Sequence, residues 1–292
     1  MNITVTGSLG NIGQHLVKKL VAAGNNVTVI SSSEDRKAAI ESTGAKAAIG
    51  AITDVAFLAS TFASADAVYL MTPPNIGFQN IIENTTNVGK AYAEAIKQAG
   101  VQRVVMLSSV GAEFDGGTGP IAGLHNIEKL YSKLQNVAIT FLRAGYFYTN
   151  FYNDIPLIKN AGIQGSNFPA TTKLPLVHPQ DIANAAAEEL QKTASGHAVR
   201  YIVSDYVNAA DVAKTFGNAI GKPELPWIEF TDEQALQGMT GAGVPQEIAE
   251  LYTEMGVAIR EGKLQTDFEA KGAPLNGAVK IADFTKEFAS RF

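Results

Sequence analysis

Residues 1–13 read Met1-Asn-Ile-Thr-Val-Thr-Gly7-Ser-Leu-Gly10-Asn-Ile-Gly13, and residues 14–23 carry helically spaced apolar side chains at Leu16, Val17, Leu20 and Val21. An alternating apolar run that turns on spaced glycines and opens a helix is the way a strand–turn–helix unit receives a dinucleotide pyrophosphate. Gly7 allows a sharp turn off the strand, Gly10 lets the backbone approach phosphates, and Gly13 is expected to let the helix pack close to the strand. The helix start then offers unpaired N–H groups to an anion. The spacing is G-x-x-G-x-x-G rather than G-x-G-x-x-G, and an ordinary Gly-rich turn could carry it. Its flanking strand and helix favour cofactor binding, with Gly7, Leu9, Gly10, Asn11 and Ile12 as the expected contacts.

Working outward, residues 26–30 form a second strand that ends in Ser31-Ser32-Ser33-Glu34-Asp35-Arg36. An acidic residue at this strand end would hold the ribose 2′-hydroxyl of NAD, whereas small hydroxyls beside an arginine suit the 2′-phosphate of NADP. Ser31, Ser32, Ser33 and Arg36 therefore favour NADP(H). The same residues also make a helix start, with Ser33 as cap and Glu34 and Asp35 in the first turn, and either acid could serve the ribose. Strands follow over 45–49, 66–71 and 102–107, with helices over 55–62, where Asp54 reads as the cap, and over about 78–100. Thr72, Pro73, Pro74 and Asn75 make a rigid loop at the end of the fourth strand, where α/β proteins place ligands, and Ser108 and Ser109 end the fifth. Strands alternating with helices at this interval predict an α/β, Rossmann-type, doubly wound parallel sheet.

Composition narrows the function classes. The 292 residues are 46% hydrophobic and 17% charged, with a formal net charge of −5 and no cysteine. A basic surface for nucleic acid is not expected, and a small metabolite is the expected partner. Disulfides, thiolate metal sites and a cysteine nucleophile are excluded. No uncharged stretch approaches the ~18 residues of a membrane span, and Met1 leads straight into the first strand, so the sequence reads as a soluble cytoplasmic protein with no membrane partner. Residues 113–123 hold four glycines and one proline and read as a mobile loop near the substrate entrance.

A helix over 124–131 and a strand over 138–143 then lead into Ala144-Gly145-Tyr146-Phe147-Tyr148-Thr149-Asn150-Phe151. This strand ending in Leu-Arg, followed by Gly-aromatic-Phe and an Asn, resembles the L-R-x-G-x-F-x-x-N signature of the NmrA-like branch of the short-chain dehydrogenase/reductase superfamily. The T-G-x-x-G-x-x-G opening, the Ser-Ser end of strand five and Leu176-Val177-His178-Pro179-Gln180-Asp181-Ile182-Ala183 resemble the same branch. Within it the chain is similar to bacterial NADPH-dependent quinone reductases, which also place a His in the helix after strand five. The resemblance implies an NADP-binding Rossmann domain over 1–150 and a substrate-covering lobe over 151–292, with residues of about 174–205 returning to the sheet. It also implies NADP(H) as cofactor, with Thr72, Pro73, Ser108, Ser109, Tyr146 and Phe147 near it. The expected reaction is hydride transfer to a quinone or related conjugated carbonyl, and the rival reading is a non-catalytic redox sensor that binds the dinucleotide and regulates a protein partner. The oligomeric state is left open, a homodimer being one option.

Short-chain reductases typically use Tyr-x-x-x-Lys, the phenol donating a proton to a carbonyl oxygen. Here Lys129 has His125 four residues before it, and the nearest tyrosine, Tyr131, lies on another face. Either His125 replaces the phenol, helped by a pKa near neutrality, or the acceptor needs no dedicated acid. Lys129 reads equally as a solvated helix charge with Glu128 beside it, and His15 reads as surface. Tyr148, Asn150, Phe151 and His178 are expected substrate contacts, the aromatic residues forming a wall for a flat acceptor, although core packing and chain turning use the same residues.

Overall fold

The computed structural model describes residues 1–73 and 79–292. Pro74, Asn75 and the expected start of a helix at Phe78 lie outside them. The chain runs β1 (Asn2–Val5), α1 (Gly13–Ala22), β2 (Asn26–Ser31), α2 (Lys37–Glu41), β3 (Lys46–Ile49), α3 (Val55–Phe62), β4 (Ala67–Leu70), α4 (Ile81–Ala99), β5 (Arg103–Ser109), α5 (Ala122–Tyr131) and β6 (Ala138–Ala144). It continues through β7 (Tyr146–Phe147), α6 (Ile155–Ala161), β8 (Gln164–Ser166), β9 (Lys173–Val177), α7 (Pro179–Leu190), β10 (His197–Ile202), β11 (Asp205–Asn208) and α8 (Ala209–Ala219). Then come β12 (Trp227–Glu229), α9 (Asp232–Gly241), α10 (Gln246–Arg260), α11 (Thr266–Ala270) and α12 (Ile281–Ala289).

The central sheet has seven parallel strands in the order β10-β6-β5-β4-β1-β2-β3. Its strands are apolar on both faces because each face is covered. Tyr69, Val105 and Leu142 point into one core with Leu16 of α1 and Ile182 of α7, while Val68, Leu70, Val104, Met106 and Phe141 point into another with Leu58, Tyr92 and Ile127 of α3, α4 and α5. This is the doubly wound arrangement that the strand–helix rhythm predicts. The strand order reverses at β1, between β2 and β4, so a crevice opens at the C-terminal edge of the sheet beside the first turn.

After β6 the chain steps off the sheet. A Cβ at Gly145 would sit 2.5 Å from the Pro175 carbonyl oxygen, so glycine is needed where β6 passes into β7. β7 pairs in parallel with β9, which pairs antiparallel with β11, making a small sheet of order β11-β9-β7. Of residues 174–205, α7 and β10 pack on and join the central sheet, whereas β9 belongs to the small one. A third core, with Tyr148, Phe151, Phe168, Leu176, Phe216, Phe284 and Phe288, fills the lobe over this edge, where the Phe216 and Phe288 rings stack at 4.1 Å.

Candidate functional site

The turn after β1 is built from its glycines. Gly7 takes φ +91°, and Ser8 follows in the left-handed region at +54°, which throws the chain off the strand. A Cβ on Gly13 would lie 2.0 Å from the Ser8 carbonyl oxygen, so Gly13 is required by the turn's own backbone rather than by strand–helix packing. Gly10 is exposed, and a Cβ there would meet only the Gly7 carbonyl oxygen, at 3.3 Å. Thr6 fixes the turn against β4: its N–H donates to Tyr69 O at 3.0 Å, and its hydroxyl accepts from Met71 N–H at 2.9 Å. Among the described residues, the N–H groups of Leu9, Asn11 and Ile12 have no acceptor, and the buried Ser8 hydroxyl has no partner. With no acidic side chain from Gly7 to Gly13, this donor set fits an anionic pyrophosphate.

The neighbouring strand ends face the same crevice. Ser31 is buried and its hydroxyl accepts from Ser33 N–H at 3.3 Å. Ser33 makes no side-chain cap, since residues 34–36 form a single tight 3₁₀ turn, so the capping role expected of it is absent. Ser32 and Arg36 are exposed, and no carboxylate among the described residues pairs with Arg36, whereas Glu34 is engaged 3.5 Å from Lys37. Thr72 and Pro73 follow β4, partly exposed, on the same edge. Ser109 donates to Val110 O at 2.9 Å. Ser108 is buried and donates to Glu128 Oε1 at 2.6 Å, which gives it a structural partner in place of the expected cofactor contact.

That glutamate belongs to a charged cluster the sequence reading missed. Arg143, at the end of β6, donates through Nε and its second terminal nitrogen to Glu128 at 3.1 and 2.8 Å. Its remaining nitrogen donates to Glu113 at 3.0 Å, Asp267 at 3.2 Å and the Tyr201 hydroxyl at 3.0 Å. Burial pushes the Glu113 carboxyl above the ordinary range, while these partners hold the Arg143 guanidinium more basic than usual despite its burial. Only charge alternation across α5 and β6 could have suggested the pairing, because residues 113, 128, 143, 201 and 267 are brought together by tertiary structure. The loop over 113–123 is consequently tied down: Glu113 holds Arg143, Gly119 N–H donates to Glu254 at 3.1 Å, and Lys263 donates to Gly116 O at 2.7 Å.

The structure separates the remaining expected site residues into two groups. His125 is half-buried, with Nδ1 3.0 Å from Ala112 O. That oxygen can only accept, so Nδ1 carries the proton and a neutral ring leaves Nε2 bare. Lys129 is exposed and its ammonium has no hydrogen-bond partner among the described residues. Tyr146 and Phe147, two and three residues past the end of β6, remain partly exposed at the edge, as does Asn150. Tyr148 is instead fully buried, its hydroxyl donating to Asp205 and to Val279 O at 3.2 Å, and Phe151 is packed 5.2 Å from both Tyr146 and Phe216, so both serve the lobe core rather than a substrate wall. His178 caps α7, Nδ1 accepting from Gln180 N–H at 3.1 Å, and is buried between His15, Tyr148 and Phe284, which removes it from the expected substrate contacts. His15, expected at the surface, is thereby partly covered, and burial lowers its pKa.

Among known proteins, the model of the NmrA-like family matches residues 1–279. An NAD(P)H azoreductase of Xenophilus azovorans is 26% identical over 297 residues, covering 99% of each chain. Among solved structures, an NADPH-dependent quinone oxidoreductase of Escherichia coli in complex with NADPH superposes with a TM-score of 0.82 at 18% identity, over 98% of this chain and 99% of that one. The Citrobacter triphenylmethane reductase complexed with NADP(H) superposes with a TM-score of 0.79 at 20% identity, over 99% of this chain and all of that one. These superpositions show a shared fold.

Proposed function

This chain belongs to the NmrA-like family, and from that premise we propose that it is an NADP(H)-dependent oxidoreductase that reduces a quinone or related conjugated acceptor. The observation that carries the reading is the open row of N–H groups at Leu9, Asn11 and Ile12, set at the sheet's switch point in a turn free of acidic side chains. These groups and the Ser8 hydroxyl bind the pyrophosphate. Ser32 and Arg36 bind the ribose 2′-phosphate, Arg36 being a guanidinium without a carboxylate partner among the described residues. Ser109 ends β5, Tyr146 and Phe147 lie just past the end of β6, and together they bound the space for the nicotinamide and acceptor.

When bound, the cofactor supplies a hydride equivalent; the chain supplies orientation and charge. Neutral His125 offers a bare Nε2 and so positions an acceptor by accepting a hydrogen bond, whereas donation from that nitrogen requires a protonated ring. The azoreductase and dye-reductase relatives support a flat conjugated acceptor, and quinones share that shape and two-electron chemistry. The experiment is a panel of quinones, azo dyes, enones and aldehydes offered to the purified chain while NADPH absorbance is followed. Consumption with quinones is expected. Tight NADPH binding with no turnover of any acceptor would favour the sensor reading instead.

A further inference from the structure

The buried charge cluster grips both elements that hold the His125 ring. Ala112 O, 3.0 Å from Nδ1, belongs to the peptide unit that joins Ala112 to Glu113. Ala112 is fully buried and its N–H donates to Ser109 O at 3.1 Å, so this peptide hangs from the end of β5 at the C-terminal edge of the sheet. Glu113 anchors the same peptide from its other side, Oε2 accepting from Arg143 at 3.0 Å. The ring's own helix is held by the same guanidinium. Glu128 lies three residues after His125 on α5, on a neighbouring face, and accepts the Arg143 fork at 3.1 and 2.8 Å while Ser108 donates to it at 2.6 Å. One buried side chain therefore spans the helix that carries the donor and the peptide that carries the acceptor of a single hydrogen bond. That bond decides the ring's chemistry. Free neutral histidine favours the proton on Nε2, so the Nδ1–H form persists here only while Ala112 O stays within reach.

We infer that Arg143 is a positioning residue: by gripping Glu113 and Glu128 together it holds His125 in the Nδ1–H form, with Nε2 left to accept. Three carboxylates surround this one guanidinium, more than its own charge requires, and two of the three sit on the elements that make the His125 bond. The consequence for substrate choice rests on the hydride-transfer reading above. A quinone that carries a hydroxyl beside its reducible carbonyl donates that O–H to the bare Nε2. A ring carrying Nε2–H would meet the same hydroxyl donor to donor and lose the bond. The clamp thus selects for hydroxyl-bearing acceptors.

Nitrogen-15 spectra of the histidine rings, recorded on the full chain without added nucleotide at a mildly alkaline pH, read the tautomer directly. The chain has four histidines, and the signals lost in His125→Gln are those of His125. The parent should show Nδ1–H. Glu113→Ala frees the peptide while Arg143 keeps Glu128 and Asp267, and should shift the ratio towards Nε2–H by about five-fold, the weight of one ordinary hydrogen bond. Arg143→Lys keeps a charge but no fork that spans both glutamates, and should shift the ratio the same way. Glu113→Gln, whose amide oxygen still accepts from Arg143, should keep the parent's ratio. In turnover with NADPH, kcat/KM for 2-hydroxymethyl-1,4-naphthoquinone should fall about five-fold in Glu113→Ala relative to the 2-methyl analogue, and Glu113→Ala should cost nothing further in a His125→Gln background. An unchanged tautomer ratio in either folded variant, or turnover losses that add in the double variant, overturns the inference and leaves the reductase reading standing. A parent that binds NADPH but reduces neither quinone overturns the reductase reading, and the spectra then decide the role of Arg143 by themselves.

Discussion

Replacing Arg143 with methionine should be among the most damaging single changes outside the nucleotide turn. The guanidinium is 8% exposed and compensates three carboxylates, of which Glu128 and Glu113 are 12% and 21% exposed and Asp267 is 33% exposed. Methionine fills the apolar volume but leaves Glu113 and Glu128 desolvated without a counter-charge, and breaking a buried pair in this way costs about 3–5 kcal/mol. Asp267, closer to solvent, adds little. The sign of the pH dependence follows. Without Arg143 the Glu113 carboxyl, already raised by burial, loses the positive charge that favours its ionised form and rises further above its unfolded value. Such groups favour the folded state below the unfolded carboxylate range and lose that contribution as pH rises through the folded values. Urea unfolding of parent and Arg143→Met should therefore differ by about 3–5 kcal/mol at pH 8 and by clearly less at pH 5. A difference below about 1 kcal/mol, or one equal at the two pH values, would refute the account of Arg143 as the charge centre of this edge.

Arg36→Ala should narrow the preference for NADPH over NADH by about ten-fold or more, because a charge-assisted phosphate contact contributes roughly 1.5–3 kcal/mol; equal affinities in the parent would contradict it. Gly10→Val should abolish dinucleotide binding while circular dichroism and melting stay near the parent's, since its Cβ meets only the Gly7 carbonyl at 3.3 Å; retained affinity in a folded variant would dismiss the turn as the binding site. Between about pH 4 and pH 7 the folded parent keeps a proton on Asp154 that the unfolded chain has released, so its stability should fall by roughly 1.4 kcal/mol per pH unit from this group. Asp154→Asn should remove that slope, and parallel stability–pH curves for the two proteins would show that Asp154 titrates normally.

The sheet was legible because both of its signals are local: apolar strands spaced by helices, and glycines whose backbone demands can be read at one position each. Asp54, expected as a cap, does cap α3, accepting from Phe57 N–H at 3.1 Å. Reading Ser108 and Glu128 failed for the opposite reason, since their roles are set by Arg143, 35 and 15 residues away in sequence and beside them in space. The aromatic run after β6 was ambiguous because residues of one short segment differ in burial: Tyr146 packs on the lobe core yet keeps partial exposure, while Tyr148 and Phe151 lie buried within it. His178 sits before a proline, where an extended backbone at φ −85° and ψ 138° suits a cap, and that local clue was available in the His-Pro-Gln-Asp order.

The passage from β6 through Gly145 into β7 has a counterpart at Val203 and Ser204, where β10 passes into β11. β6 and β10 are neighbours in the central sheet, and β7 and β11 flank β9 in the small one, so two adjacent strands each cross from one sheet to the other within one or two residues. Both crossings are locked, Gly145 N–H bonding Ile202 O at 3.1 Å and Ser204 N–H bonding Leu176 O at 2.7 Å. Mechanically these are twin short struts, and a body held by two such struts resists hinging about either. The small sheet is thereby fixed to the central one at two points, and its distance from the C-terminal edge is set at both by a linker of one or two residues.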